Sequence, residues 1–123
     1  MLDFPAMHEL GLVTEVYKIC RASLETHGEG RIRSVRLAVG ELSAVEPELL
    51  RFAWEAVTAE GADEGADLVV EWHVARQRCP ACGEEKPRAS GDWLRVCPDC
   101  GGPLLVEGGN ELEILDIEVE VKD

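Results

Sequence analysis

Cys79-Pro80-Ala81-Cys82-Gly83 and Cys97-Pro98-Asp99-Cys100-Gly101 repeat one pattern, with residues 83 to 96 between the inner cysteines. Two Cys-x-x-Cys knuckles at this separation match the four-thiolate pattern of a structural zinc site. Cysteines three apart turn both sulfurs toward one ion when the chain folds tightly between them. Gly83 and Gly101 follow each pair, where a tight turn often needs positive φ. Pro80 and Pro98 stiffen the entries. Four soft ligands fill a tetrahedral Zn(II) and leave no open position, so the expected metal is structural rather than catalytic. Iron in a rubredoxin-like site is the metal alternative. Two disulfides, or four free thiols, are the readings without a metal.

The flanks read as an α+β domain. Residues 8 to 27 form the first expected helix, with Leu10, Val13, Val16 or Tyr17, Cys20 and Leu24 at steps of three and four and Gly28 as the stop. Cys20 lies on that stripe and reads as a buried small hydrophobe rather than a ligand or nucleophile. Arg33 to Val39 alternates as a strand. Glu46-Pro47 opens a second helix, with Leu49, Leu50, Ala53, Trp54 and Val57 as its buried face. Gly61 to Gly65 is a turn, and Leu68 to Ala75 a second strand. His73 falls on that strand's more polar face, and His27 at a helix end favoured by the dipole.

After the cysteines, Leu115, Ile117, Val119 and Val121 alternate with acidic residues as a third strand. Leu112 and Ile114 are in the opposite phase, which predicts a bulge or bend near Ile114-Leu115. The expected assembly is a three-stranded sheet with two packed helices, plus an inserted four-cysteine zinc ribbon. Residues 1–76 and 107–123 form the α+β domain, and 77–106 the ribbon before the last strand. The ribbon has few large apolar residues, chiefly Trp93, Leu94 and Val96, so metal must supply much of its folding free energy.

Composition narrows the function. The 123 residues carry 25 acidic and 12 basic side chains, a net charge of −13. Phosphate binding needs clustered Lys and Arg. In the ribbon Arg78, Lys86, Arg88 and Arg95 are matched by Glu84, Glu85, Asp92 and Asp99, so nucleic acid is not an expected partner. No apolar run spans a bilayer, and the start lacks the features of a secretory signal, so no membrane is expected. Cysteines in metal spacing suit a reducing compartment, the cytoplasm. There is no Ser-His-Asp or Cys-His arrangement, phosphate loop or open three-ligand zinc site, and the chain is not expected to be an enzyme.

Met7-His8-Glu9-Leu10 opens the first helix. By itself a His-Glu pair reads as helix N-terminal decoration. It gains weight beside Val35-Arg36-Leu37-Ala38-Val39-Gly40-Glu41-Leu42, Glu46-Pro47-Glu48-Leu49-Leu50-Arg51-Phe52-Ala53, the two knuckles, and Gly109-Asn110-Glu111-Leu112. With these, residues 7 to 121 resemble the HypA/HybF family of hydrogenase maturation nickel metallochaperones. The resemblance implies structural zinc on Cys79, Cys82, Cys97 and Cys100, and transient Ni(II) at His8 and Glu9. It also implies delivery to the [NiFe]-hydrogenase large subunit with a nickel-pathway GTPase; some members also serve urease. A homodimer is a further candidate partnership.

The chemistry agrees with the resemblance. Ni(II) accepts tetragonal nitrogen and oxygen sites. The imidazole and amide of His8 supply nitrogens, and Glu9 adds an oxygen or tunes the site from outside. Glu46 is a weaker candidate for an outer carboxylate. In the family the motif opens the chain, whereas six residues precede it in this sequence; either Met7 is the true start, or nickel is bound with one amine ligand fewer and Asp3 is a candidate replacement. The alternative reading is a zinc-ribbon interaction adaptor that delivers no nickel.

Overall fold

The computed structural model describes residues 5–122, with side chains from residue 8 onward. Helix α1 runs Pro5–Glu25. Its buried stripe is Glu9, Val13, Val16, Cys20 and Leu24, at steps of four, three, four and four. This corrects the expected stripe at its first position: Leu10 is 44% exposed, and Glu9 takes the inward place. The helix also ends two residues early, because the amides of Thr26, His27 and Gly28 bond three residues back and tighten the last turn.

Strand β1, Gly30–Gly40, is longer than its alternation suggested and leads into a 3-10 turn, Glu41–Ser43. Helix α2, Pro47–Thr58, buries Leu50, Ala53, Trp54 and Thr58. Strand β2, Asp67–His73, then pairs parallel with β1. Parallel neighbours need a crossover, and α2 supplies it. Trp54 lies in the middle of the core, its Nε1 donating to Ala66 O at 2.8 Å. Burying such a side chain contributes on the order of 2–3 kcal/mol. Tyr17 meets Trp54 edge-on, with centroids 5.9 Å apart.

The ribbon strands β3 (Arg76–Cys79), β4 (Glu84–Lys86) and β5 (Leu105–Glu107) form a second sheet in the order β4-β3-β5. Strand β6, Leu112–Val121, returns to the first sheet, in the order β2-β1-β6, antiparallel to β1. The expected bulge is present. Arg36 pairs with Asp116 and Leu37 with Ile114, so Leu115 is the extra residue. The bulge brings Leu112 and Ile114 onto the face of Ile117 and Val119, opposite Val39, Leu37, Val35 and Ile32. The other face is charged, and Arg36 bridges it by binding Asp116 and Glu71.

Two carboxylates lock this arrangement. Asp63, in the turn expected from Gly61 to Gly65, is completely buried. It accepts from Tyr17 Oη at 2.5 Å, Ile32 N at 2.7 Å and Arg21 Nη1 at 3.2 Å. The turn thereby fastens α1 to β1. It also raises Tyr17 to about 12, through burial first and then Asp63.

Glu41 joins the two sheets. Its Oε1 accepts from Ala75 N at 3.0 Å and Arg88 Nη1 at 2.8 Å; its Oε2 accepts from Arg88 Nη2 at 2.9 Å and Gly91 N at 2.7 Å. Arg88 also donates to Ala75 O and Asp92 O, and lies 3.8 Å over the Trp93 ring. Beside this clamp Leu42 N donates to Gly109 O at 2.6 Å. Gly109 has φ +86°, and a Cβ there would press on Ala75, so glycine is required.

The guanidinium of Arg88, aided by the Gly91 and Ala75 amides, holds Glu41 down at about 2 from an ordinary 4.5, against burial that acts to raise it. A depressed carboxylate stabilises the fold fully above its unfolded value and loses that contribution as pH falls through the folded value. The clamp should therefore persist at neutral pH and fail between about 4.5 and about 2. Glu41→Gln is expected to lower Tm at pH 7 by roughly 5 °C or more and to flatten the acid limb of a Tm-against-pH series. A variant that melts with the wild type across that series would remove the clamp from the list of stabilising contacts.

Candidate metal centres

The four knuckle cysteines converge. Cys79 Sγ is 3.6 Å from Cys100 Sγ, Cys82 Sγ is 3.8 Å from Cys97 Sγ, and all four sulfurs lie within 4.8 Å of one another. None is in a disulfide. Four sulfurs at the usual Zn–S distance of about 2.3 Å in a tetrahedron stand about 3.8 Å apart, so this donor set fits a tetrahedral ion. Gly83 and Gly101 both have φ +75°, the left-handed turn that their place in the knuckles predicted. The amides of Cys82, Asp99 and Gly102 donate to Cys79, Cys97 and Cys100 Sγ at 3.3 to 3.4 Å. Such bonds orient sulfur lone pairs and favour thiolates.

The thiols do not share charge evenly. Burial acts to raise Cys97, but the amides of Cys100 and Asp99 outweigh it and bring the thiol down to about 6. Hydrogen bonds to the Cys79 and Cys100 thiols push Cys82 up to about 12. A bound cation would discharge the protons that remain, so metal binding here is opposed by acid.

The ribbon's other contacts are polar. Gln77 is buried and pairs twice with the main chain of Leu94, at 3.0 Å each way. Lys86 Nζ donates to Glu84 Oε1 at 2.7 Å and Asp99 Oδ2 at 2.6 Å, and these two carboxylates hold the ammonium strongly in its charged form. Of the expected apolar residues, Trp93 stacks under Arg88, whereas Val96 is exposed.

The second candidate lies at the start of α1. His8 is exposed. Glu9 is completely buried, and its Oε2 accepts from Glu46 N at 2.7 Å, at the N-terminus of α2. That helix end offers unpaired N–H groups and a positive dipole, which explains how a carboxylate is tolerated there. Glu9 Oε1 has no hydrogen-bond partner among the described residues. Glu46 is therefore adjacent to Glu9 through its main chain. Asp3, and the side chain of Met7, lie outside the described residues.

Sequence reasoning left Glu9 off the buried stripe of α1, although its four-residue step to Val13 marked it as inward. It gave no structural role to Glu41, Arg88, Asp63 or Lys86. Cys20 is buried as expected, and burial, with Asp63, raises its thiol to about 11, which suits a core residue and not a nucleophile. His73 Nε2 lies 2.8 Å from Glu71 Oε1, and His27 Nδ1 2.9 Å from Thr26 Oγ1. Among the described residues, no helix is long and apolar enough to cross a membrane.

Comparison with known proteins gives one consistent family. The family described as "HypA: Hydrogenase/urease nickel incorporation, metallochaperone, hypA" matches residues 7–119. The hydrogenase maturation factor HypA of Geobacter metallireducens is 37% identical over 115 residues, covering 93% of this chain and all of the relative. A solution structure of a HypA protein aligns with TM-score 0.63 at 25% identity, over 94% of this chain and 98% of the other. The solution structure of the Ni metallochaperone HypA from Helicobacter pylori shares the fold, with TM-score 0.58 at 23% identity over 93% and 98% of the two chains.

Replacing Cys79 or Cys97 with Ser leaves three thiolates and an open position, with little apolar core to compensate. Each variant should lose most of its bound metal on dialysis while the α1–α2 domain keeps its helical signal. Full metal retention in both, measured by elemental analysis, would contradict a closed four-thiolate centre.

Proposed function

The chain belongs to the HypA family of hydrogenase/urease nickel-incorporation metallochaperones, and from that premise we propose that it is a nickel carrier with a structural zinc ribbon. Zn(II) is held by Cys79, Cys82, Cys97 and Cys100. Ni(II), the cargo, is taken up at His8 and Glu9 and delivered to the [NiFe]-hydrogenase large subunit with a nickel-pathway GTPase. Residues 1–76 and 107–123 are the nickel-binding domain, and residues 77–106 the zinc domain.

One observation carries the nickel reading: among the described residues Glu9 Oε1 is buried without a partner, and the residue next to it in the chain, His8, is exposed. An uncompensated buried carboxylate oxygen is costly, and a cation at the helix start satisfies it. His8 adds nitrogen donors that Ni(II) prefers. The exposed imidazole keeps the site shallow and exchangeable, as a carrier requires. The main-chain bond from Glu46 holds the other Glu9 oxygen, so the carboxylate arrives oriented.

Substituting His8 with Ala should abolish tight nickel binding in a calorimetric titration. Zinc content and Tm should stay near normal, because an exposed residue contributes little packing. Nickel should also leave on acidification, as the imidazole must be neutral to bind. A chain with no His8-dependent nickel site would instead be the zinc-ribbon adaptor.

A free amine at Met7 is a far better donor than a peptide amide. Protein beginning at Met7 should therefore bind nickel about tenfold more tightly than protein beginning at Met1. Equal affinities in a side-by-side titration, with N-termini confirmed by mass, would show that the amine is not a ligand.

A further inference from the structure

Lysine ordinarily lays its stem on the surface and keeps its ammonium in water. Lys86 does the reverse. Its side chain is 2% exposed, and the carboxylates of Glu84 and Asp99, 65% and 66% exposed, come to it. A buried ammonium is costly unless paired, and two short charge-assisted bonds compensate this one.

The partners belong to different knuckles. Glu84 stands on β4, in register with Cys79 of the first knuckle. Asp99 lies inside the second knuckle, between Cys97 and Cys100, and its own amide donates to Cys97 Sγ. The second knuckle belongs to no strand of the β4-β3-β5 sheet. It is tied instead by turn bonds, from Cys97 N to Gly102 O and from Gly101 N to Cys97 O, which reach no further than its own turn. Lys86 therefore spans from the first hairpin to the interior of the second knuckle.

We infer that Lys86 is a positioning residue for the four-thiolate centre, strapping the second knuckle against the first so that the sulfurs meet as a preformed set. The inference rests on reading that centre as the zinc site. Four thiolates and one divalent ion carry a net charge of −2, and the buried ammonium lies beside that charge. With no lone pair when protonated, Lys86 is not a ligand. It acts through Asp99 and Glu84, as outer partners commonly do at metal sites.

The test is the rate at which the full-length, zinc-loaded chain surrenders its metal to an excess of chromogenic chelator. Lys86→Met keeps the apolar stem and removes the charge. It should release zinc about tenfold faster or more, the usual cost of losing an outer partner. Lys86→Arg, which reaches the same carboxylates, should recover part of the loss. In the cobalt-substituted protein the visible bands of tetrahedral thiolate coordination should broaden in Lys86→Met. A role limited to packing predicts unchanged release, because methionine fills the same space.

Should Lys86→Met fail to fold, Asp99→Asn weakens the strap while keeping the amide on Cys97, and its release should quicken in the same sense. Wild-type release rates in Lys86→Met, or in Asp99→Asn where the first does not fold, overturn the inference. Wild-type protein isolated without zinc overturns the zinc reading, and this inference with it, so the two failures are distinguishable.

Discussion

Glu41 satisfies two modules at once. One carboxylate receives the guanidinium of Arg88 and the amides of Ala75 and Gly91, which lie where the chain leaves the main sheet and where the ribbon loop returns to it. Remove the carboxylate, and Arg88 becomes a buried cation left with two carbonyls and the Trp93 ring, while two amides lose their acceptor. The ribbon's orientation is therefore set by a charge-assisted network, in keeping with the shortage of apolar side chains in residues 77–106.

The same economy recurs across the molecule. Glu9 docks α1 on the N-terminus of α2, Asp63 docks the 61–65 turn on α1 and β1, and Lys86 docks one knuckle on the other. Each is a buried charge answered by donors or acceptors from a distant segment. Networks of this kind fix register and angle more sharply than apolar contact does, and they fail together when one member is lost. They also explain how a chain with so much negative charge remains compact: several of its carboxylates are internal connectors rather than surface groups.

What the sequence made legible was local. The knuckles are written in five positions each, and the thiolates have few other ways to satisfy that spacing. The bulge at Leu115 was legible because a period of two cannot change phase without an extra residue. The helices were legible from their stripes, to within a few residues at the ends. The buried carboxylates were not. Acidic residues default to the surface in any pattern argument, and the partners of Glu9 and Glu41 lie 37 and 47 positions away. The parallel pairing of β1 with β2 was equally hidden, since alternation marks a strand without naming its neighbour. At the start of α1 the sequence offered His8 and Glu9 as candidate ligands, and the structure added that one Glu9 oxygen is held while the other has no partner among the described residues.

The place of β6 in the chain has a consequence for biosynthesis. Strand β1 is central, yet its second neighbour leaves the ribosome only after every knuckle cysteine has emerged. Until then β1 has one bare edge, the kind of surface on which nascent chains associate wrongly. Closing the sheet also requires that the ribbon already bring the chain back toward Gly40, where Glu111 O meets the Gly40 amide. Long-range closure of this sort is slow. Completion of the main sheet thus waits on the cysteine ribbon, which must turn the chain back before β6 can find the bare edge of β1.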